Sequence, residues 1–181
     1  TRYSNERALM LAGTDTLATI ANHWFARFEH ALATGDRALL ESLFHSDSHW
    51  RDVLALTWRI GTVSGAHAIA DALQEHAGRA RPSGFRTDPE RTAPRHVTRA
   101  GTKCVEVIYR FGVALGRGSG VLRFFPDEQE PRAWTLLTAL DELKDHEENV
   151  GRRRPKGWSY SRDFAGPNWL DLRKQKSTYE D

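Results

Sequence analysis

Cysteine is almost missing from this 181-residue chain: Cys104 stands alone. A lone thiol excludes an internal disulfide framework and any multi-cysteine zinc or iron–sulfur site, and its plain reading is a reducing, cytoplasmic compartment. Long apolar runs are missing too. No stretch approaches the roughly 20 residues that span a bilayer, and residues 1–13 lack the basic-then-apolar pattern of a secretory signal. Charge of one sign is also scarce, since 26 Lys and Arg face 24 Asp and Glu. The small excess sits at one end: residues 150–181 carry eight basic residues against four acidic ones, which leaves residues 1–149 slightly negative. A negative body argues against a dedicated nucleic-acid binder. The run Arg152–Arg154 follows the acidic stretch Asp141, Glu142, Asp145, Glu147 and Glu148 and reads as solvated, locally paired charge.

Catalytic fingerprints are equally sparse. Gly116-Arg117-Gly118-Ser119-Gly120 runs into Val121 and joins two strand-like segments, so it reads as a hairpin; a phosphate loop needs a helix N-terminus to hold the anion. His45 and His49 are four apart without a Glu after the first, which excludes the zinc-protease helix, and no metal site is expected. There is no Gly-x-Ser-x-Gly elbow, and nothing near Cys104 in sequence would lower its pKa.

What is present is the pattern of one globular domain with an appendage. A chain of this length buries roughly 70% of the surface its unfolded form exposes and needs no staple. Leu17, Ile20, Ala21, Trp24, Phe28 and Leu32 recur at helical spacing, with Asp15 as N-cap and Gly35 as stop. Asp36 caps a short second helix through Leu39, Leu40, Leu43 and Phe44, His45–Ser48 reads as a polar turn, and residues 50–56 as a strand. Ser64-Gly65 opens a third helix carrying Ile69 and Leu73, with Gly78 just beyond it, and residues 79–91 read as loop. The period then becomes two, over about 93–99, 103–115, 118–126 and 131–142. Val105, Val107, Tyr109 and Phe111 share one face of the second of these strands; Cys104, Glu106 and Arg110 share the other. Helices followed by a meander predict an α+β fold: three N-terminal helices packed on a strongly curved antiparallel sheet. Residues 1–149 form the domain. Residues 150–181, with Trp158, Tyr160, Phe164, Trp169 and Leu170 among Gly and Pro, read as an irregular extension or linker anchored by its rings.

Such an architecture leaves a pocket between helices and sheet, lined by the inner face of the first strand: Trp50, Asp52 and Leu54. Burial of Asp52 would disfavour its charged form and make it a usable general base. Trp58, Tyr109 and Trp134 complete the wall, with Trp24 and Phe28 from the first helix. The competing reading of Asp52 is an ion pair with Arg51 or Arg59, or a cap on a backbone turn.

The arrangement Trp24 to Phe28, Gly35-Asp36, Leu39 to Phe44, His49-Trp50-Arg51-Asp52 and Gly65 to Leu73 resembles the nuclear transport factor 2-like superfamily, which includes SnoaL-like cyclases and ketosteroid isomerases and folds as an α+β cone around a pocket. Trp50 to Trp58, Ala133 to Lys144 and Gly166 to Asp171 further resemble the N-terminal region of bacterial and fungal flavin-containing monooxygenases. In those proteins the segment like 166–181 leads into a Rossmann strand and its Gly-x-Gly-x-x-Gly; this sequence stops at Asp181 before such a motif, which by resemblance makes it a fragment or a free-standing relative. The resemblance implies an accessory, pocket-bearing domain with no cofactor of its own. FAD and NADPH belong to a fused or partner flavin-binding domain in the same parent chain, because no strand–turn–helix here can seat a pyrophosphate. The implied ligand is a hydrophobic small molecule, with neither nucleic acid nor membrane as partner. Two alternatives stand beside it. One is a stand-alone SnoaL-like isomerase, lyase or cyclase with Asp52 as base and Arg51 or His96 as oxyanion donor. The ketosteroid-isomerase Tyr would fall near Phe28, and that family's second donor near Gly120 or Val121, neither with a donor group. The other is a non-catalytic module that forms a homodimer through the wet face of the 103–115 strand.

Overall fold

A computed structural model of the chain describes residues 2–126, 130–150, 154 and 166–177, with side chains of the first helix described from Thr16 onward. It divides into two compact units, Thr1–His146 and Glu147–Asp181.

In the first unit, α1 (Arg2–Thr34) buries Ala21, Trp24, Phe25, Phe28, Ala31 and Leu32, the stripe that three- and four-residue spacing puts on one face. The expected start at Asp15 is corrected. The helical backbone reaches back to Arg2 because residues 6–12 (Glu-Arg-Ala-Leu-Met-Leu-Ala) are all strong helix formers, so Asp15 lies within the helix. Gly35, at φ +68, ends it. Asp36 caps α2 (Arg37–Ser42) by accepting the Leu39 N–H at 2.9 Å.

Strand β1 (Phe44–Val53) begins before the expected position and takes in His45–Ser48, read above as a turn, because Ser48 faces inward with Trp50 and Asp52 and is fully buried. It also ends early. Leu54 turns to φ +64 and donates its N–H to the Arg59 carbonyl at 3.1 Å, closing a loop to β2 (Ile60–Ser64). Helix α3 (Ala66–Ala80) buries Ile69, Ala70, Leu73, Ala77 and Ala80; it runs past Gly78 and stops at left-handed Arg81. Strand β3 (Ser83–Thr87) lies in the stretch read as loop. Strands β4 (Arg95–Arg99), β5 (Thr102–Val113), β6 (Gly116–Phe124) and β7 (Ala133–Leu143) follow the predicted meander.

The sheet order is β2-β1-β7-β6-β5-β3, with β4 also on β5. Five pairings are antiparallel. The sixth, β1 with β7, is parallel, as the long connection between the first and last strands allows. The helices pack on one face. Between them and the sheet, Trp24 stacks on Phe28 (centroids 4.9 Å apart), Phe25 tilts on Tyr109 (4.8 Å) and Phe85 stacks on Phe111 (4.9 Å). Two glycines make room for these rings. Tyr109 lies opposite Gly120 and Phe111 opposite Gly118. A methyl on Gly120 would sit 2.6 Å from the Tyr109 hydroxyl, and one on Gly118 2.7 Å from the Phe111 ring.

In the second unit the expected irregular extension contains a helix, α4 (Trp169–Ser177). Asn168 starts it by accepting from the N–H groups of Leu170 and Asp171, while the Asp171 carboxylate accepts the Asn168 N–H at 3.1 Å, a reciprocal cap. Trp169 and Leu170 are exposed. The rings of Trp158, Tyr160 and Phe164 lie outside the described residues.

Candidate functional site

Asp52 sits on the inner face of β1 and is 2% exposed. Its carboxylate accepts from the Thr138 hydroxyl at 2.6 Å, the Thr57 hydroxyl at 2.7 Å, the Thr57 N–H at 2.8 Å and the Leu56 N–H at 3.2 Å. Thr138 in turn accepts from Trp50 Nε1 at 3.0 Å, and Thr57 Oγ1 from the Arg59 N–H at 3.1 Å. Both oxygens are therefore spent on fixing the loop after β1 to β7. Of the two readings left open above, the geometry has the turn-capping one; neither Arg51 nor Arg59 reaches the carboxylate. Arg51 faces the other side of the sheet, where it donates to Thr62 at 3.2 Å.

The structure brings Trp24, Phe28, Trp50, Asp52 and Tyr109 together and leaves Leu54, Trp58 and Trp134 apart from them. Leu54 and Trp58, at φ +64 and +59, stand 39% and 43% exposed on the loop that Asp52 holds. Strand alternation cannot carry Leu54 inward once the chain has left β1. Trp134 stacks on Phe125, itself edge-on to His45, through a β-bulge that turns it from the inner face. His96 is exposed on β4. Tyr109 donates its hydroxyl to the Leu137 carbonyl at 2.7 Å; burial, with the Asp52 charge adding to it, lifts its pKa well above the ordinary tyrosine value. The inner face is thus filled by rings; the polar groups of Trp50, Asp52, Tyr109 and Thr138 are bonded to the fold, while the buried Ser48 hydroxyl has no hydrogen-bond partner among the described residues.

The second buried carboxylate was not anticipated as a site. Glu106, on the outer face of β5 and 7% exposed, is held by three arginines. Arg99 binds it with two nitrogens at 2.8 and 2.9 Å, Arg123 with two at 2.8 and 2.9 Å, and Arg95 with one at 3.2 Å. These guanidiniums, Arg99 first, outweigh the desolvation and bring the Glu106 pKa down to about 2. The signal was in the sequence: in a β4–β5 hairpin turning at Ala100-Gly101, Arg95 falls opposite Glu106. Both turn residues have positive φ, as a type I′ hairpin requires. Cys104, one residue pair away, is buried, and burial raises its thiol pKa. Among the described residues no three His, Cys, Asp or Glu side chains stand together as metal ligands would.

The helix-on-curled-sheet arrangement is the nuclear transport factor 2-like fold. Aln2 from a Streptomyces species shares it at 16% identity and a TM-score of 0.50, covering 70% of this chain and 91% of that one. A designed protein of the nuclear transport factor 2 type (16%, TM-score 0.47) covers 66% of this chain and 96% of its own. A candidate aromatic-ring-hydroxylating dioxygenase beta subunit from Novosphingobium aromaticivorans (12%, TM-score 0.47) covers 72% and 92%. No protein-family model and no curated protein matches the sequence. No described helix is long and apolar enough to cross a membrane.

Proposed function

We propose that this chain is a non-catalytic accessory domain of a flavin-dependent monooxygenase. Its fold supports a larger assembly, and FAD and NADPH are bound elsewhere in that assembly. The observation that carries the non-catalytic half is the Asp52 carboxylate. A general base must present a free lone pair to a proton in the substrate, and here both oxygens are occupied by two hydroxyls and two backbone N–H groups, beneath a layer of packed rings. The oxidative half rests on the resemblance of Trp50 to Trp58 and Ala133 to Lys144 to the region that precedes the flavin-binding domain in such enzymes.

Two measurements test it. The purified chain should be colourless, and titration with FAD or NADPH should give no saturable heat or thermal shift; stoichiometric flavin would overturn the reading. The coding region downstream of Asp181 should continue into a strand, a Gly-x-Gly-x-x-Gly turn and a helix. A stop codon there, combined with turnover of a cyclic ketone that Asp52→Asn abolishes, would instead establish the stand-alone isomerase.

A further inference from the structure

The β4–β5 hairpin carries a cavity that shares no residue with the ring-filled inner face around Asp52. Register sets His96 opposite Val105 and Thr98 opposite Lys103, with Val97 and Cys104 paired between them. Strand alternation therefore sends the side chains of His96, Thr98 and Lys103 out on the face of Val105, the side of the sheet that the helices cover. These three, with Val97, Cys104 and Pro126, line a cavity of about 490 Å³. That volume falls within the range of roughly 300–1,000 Å³ usual for small-molecule sites. His96, Thr98 and Lys103 are exposed, and among the described residues their side chains make no hydrogen bond or ion pair. Their donors are free for a ligand.

Charge selects the sign of that ligand. From Arg95 to Pro126 the chain carries six Lys and Arg residues and one acid, Glu106. Arg95, Arg99 and Arg123 share Glu106, Arg110 meets Asp88 and Arg117 meets Glu142, which leaves two arginine charges around Glu106 and the Lys103 ammonium unmatched. Of the acids that flank this stretch, Glu90 stands before β4, and Asp127 and Glu128 follow Pro126 outside the described residues. An anion is therefore set against a cation of the same body in the experiment below. The Lys103 ammonium, the Thr98 hydroxyl and a ring nitrogen of His96 are all able to donate to an oxyanion, and Val97, Cys104 and Pro126 supply an apolar wall beside them. We infer that this cavity binds a small organic anion, its oxyanion head held by Lys103, Thr98 and His96 and a short aliphatic body lying on Val97, Cys104 and Pro126. The inference goes beyond the accessory reading and does not rest on it, since the site needs neither Asp52 nor a flavin-binding domain.

The test titrates hexanoate and hexyl phosphate separately into the isotopically labelled full chain and follows the backbone amides by NMR. Acetate, inorganic phosphate and hexyltrimethylammonium serve as controls. At least one of the two hexyl anions should bind with a dissociation constant below about 1 mM and shift the amides of residues 96–98 and 103–104. It should bind at least tenfold more tightly than its head group alone and than the cation; the stronger of the two hexyl anions tells a carboxylate site from a phosphate site. Lys103→Gln should weaken it at least tenfold and Thr98→Val at least twofold, with the circular dichroism spectrum unchanged because both side chains are exposed. Equal binding of the cation or of the head group alone, shifts confined to other residues, or an affinity indifferent to Lys103→Gln would overturn the inference. So would the absence of saturation by either hexyl anion up to about 10 mM.

Discussion

Asp52 and Glu106 carry the same chemical group into opposite faces of one sheet, and the sheet accommodates them by different means. Asp52 is surrounded by neutral donors, all of which belong to the loop after β1 or to β7. Its charge organises backbone. Glu106 is surrounded by cations from β4 and β6, and its charge organises other charges. A carboxylate held by N–H and hydroxyl groups fixes geometry and leaves no excess charge around it, whereas one held by three guanidiniums leaves a net positive surface. The first kind of site ties a loop to a distant strand; the second ties the β4–β5 hairpin to β6.

The contrast is tested most severely by Asp52→Ala. Removing the acceptor strands two backbone N–H groups and the Thr138 hydroxyl in a buried place, and unsatisfied buried donors cost about 1–3 kcal/mol each. Urea unfolding should therefore show a loss of about 3–5 kcal/mol; a loss below about 1 kcal/mol would mean the loop does not depend on Asp52. Glu106→Gln is expected to come next. The folded pKa, about 2, lies below the ordinary 4.5, so the stabilisation is complete above about pH 4.5 and is lost as pH falls through about 2. The shift corresponds to about 3 kcal/mol at neutral pH. The difference in stability between wild type and variant should shrink across that window, and a difference that does not change with pH would break the electrostatic half of the comparison. Trp58→Gly should have the smallest effect. The residue sits half out of the protein at φ +59, where relief of left-handed strain, about 1–2 kcal/mol, offsets the lost contacts and the flexibility of glycine. A change within about 1 kcal/mol in the same assay is expected; a loss of several would show that Trp58 packs as a core residue.

Local pattern made the helical half and the meander legible, because each rests on a repeat carried by one segment. The stripe Ala21, Trp24, Phe28 and Leu32, and the alternation Val105, Val107, Tyr109 and Phe111, needed no knowledge of partners. Strands β2 and β3 escaped because five residues with a glycine inside carry too little alternation to stand out. The inward face of β1 was right at Trp50 and Asp52 and failed at Leu54, where the strand gives way to a loop shaped by a hydrogen bond to Arg59. What surrounds Asp52 was hidden because Thr138 comes from 86 residues away. The arginines on Glu106 were hidden in part only: the hairpin register supplies Arg95, while Arg123 depends on the pairing of β6.

The two glycines under Tyr109 and Phe111 bear on how this sequence can change over generations. A Cβ at 120 would collide with the Leu137 carbonyl oxygen as well as come within 2.6 Å of the Tyr109 hydroxyl, and one at 118 would collide with the Ala139 carbonyl oxygen. Shrinking either ring therefore does not release its glycine, because the backbone of β7 still fills the space. The constraint runs one way: descendants should keep glycine at 118 and 120 even where the rings at 109 and 111 have been exchanged.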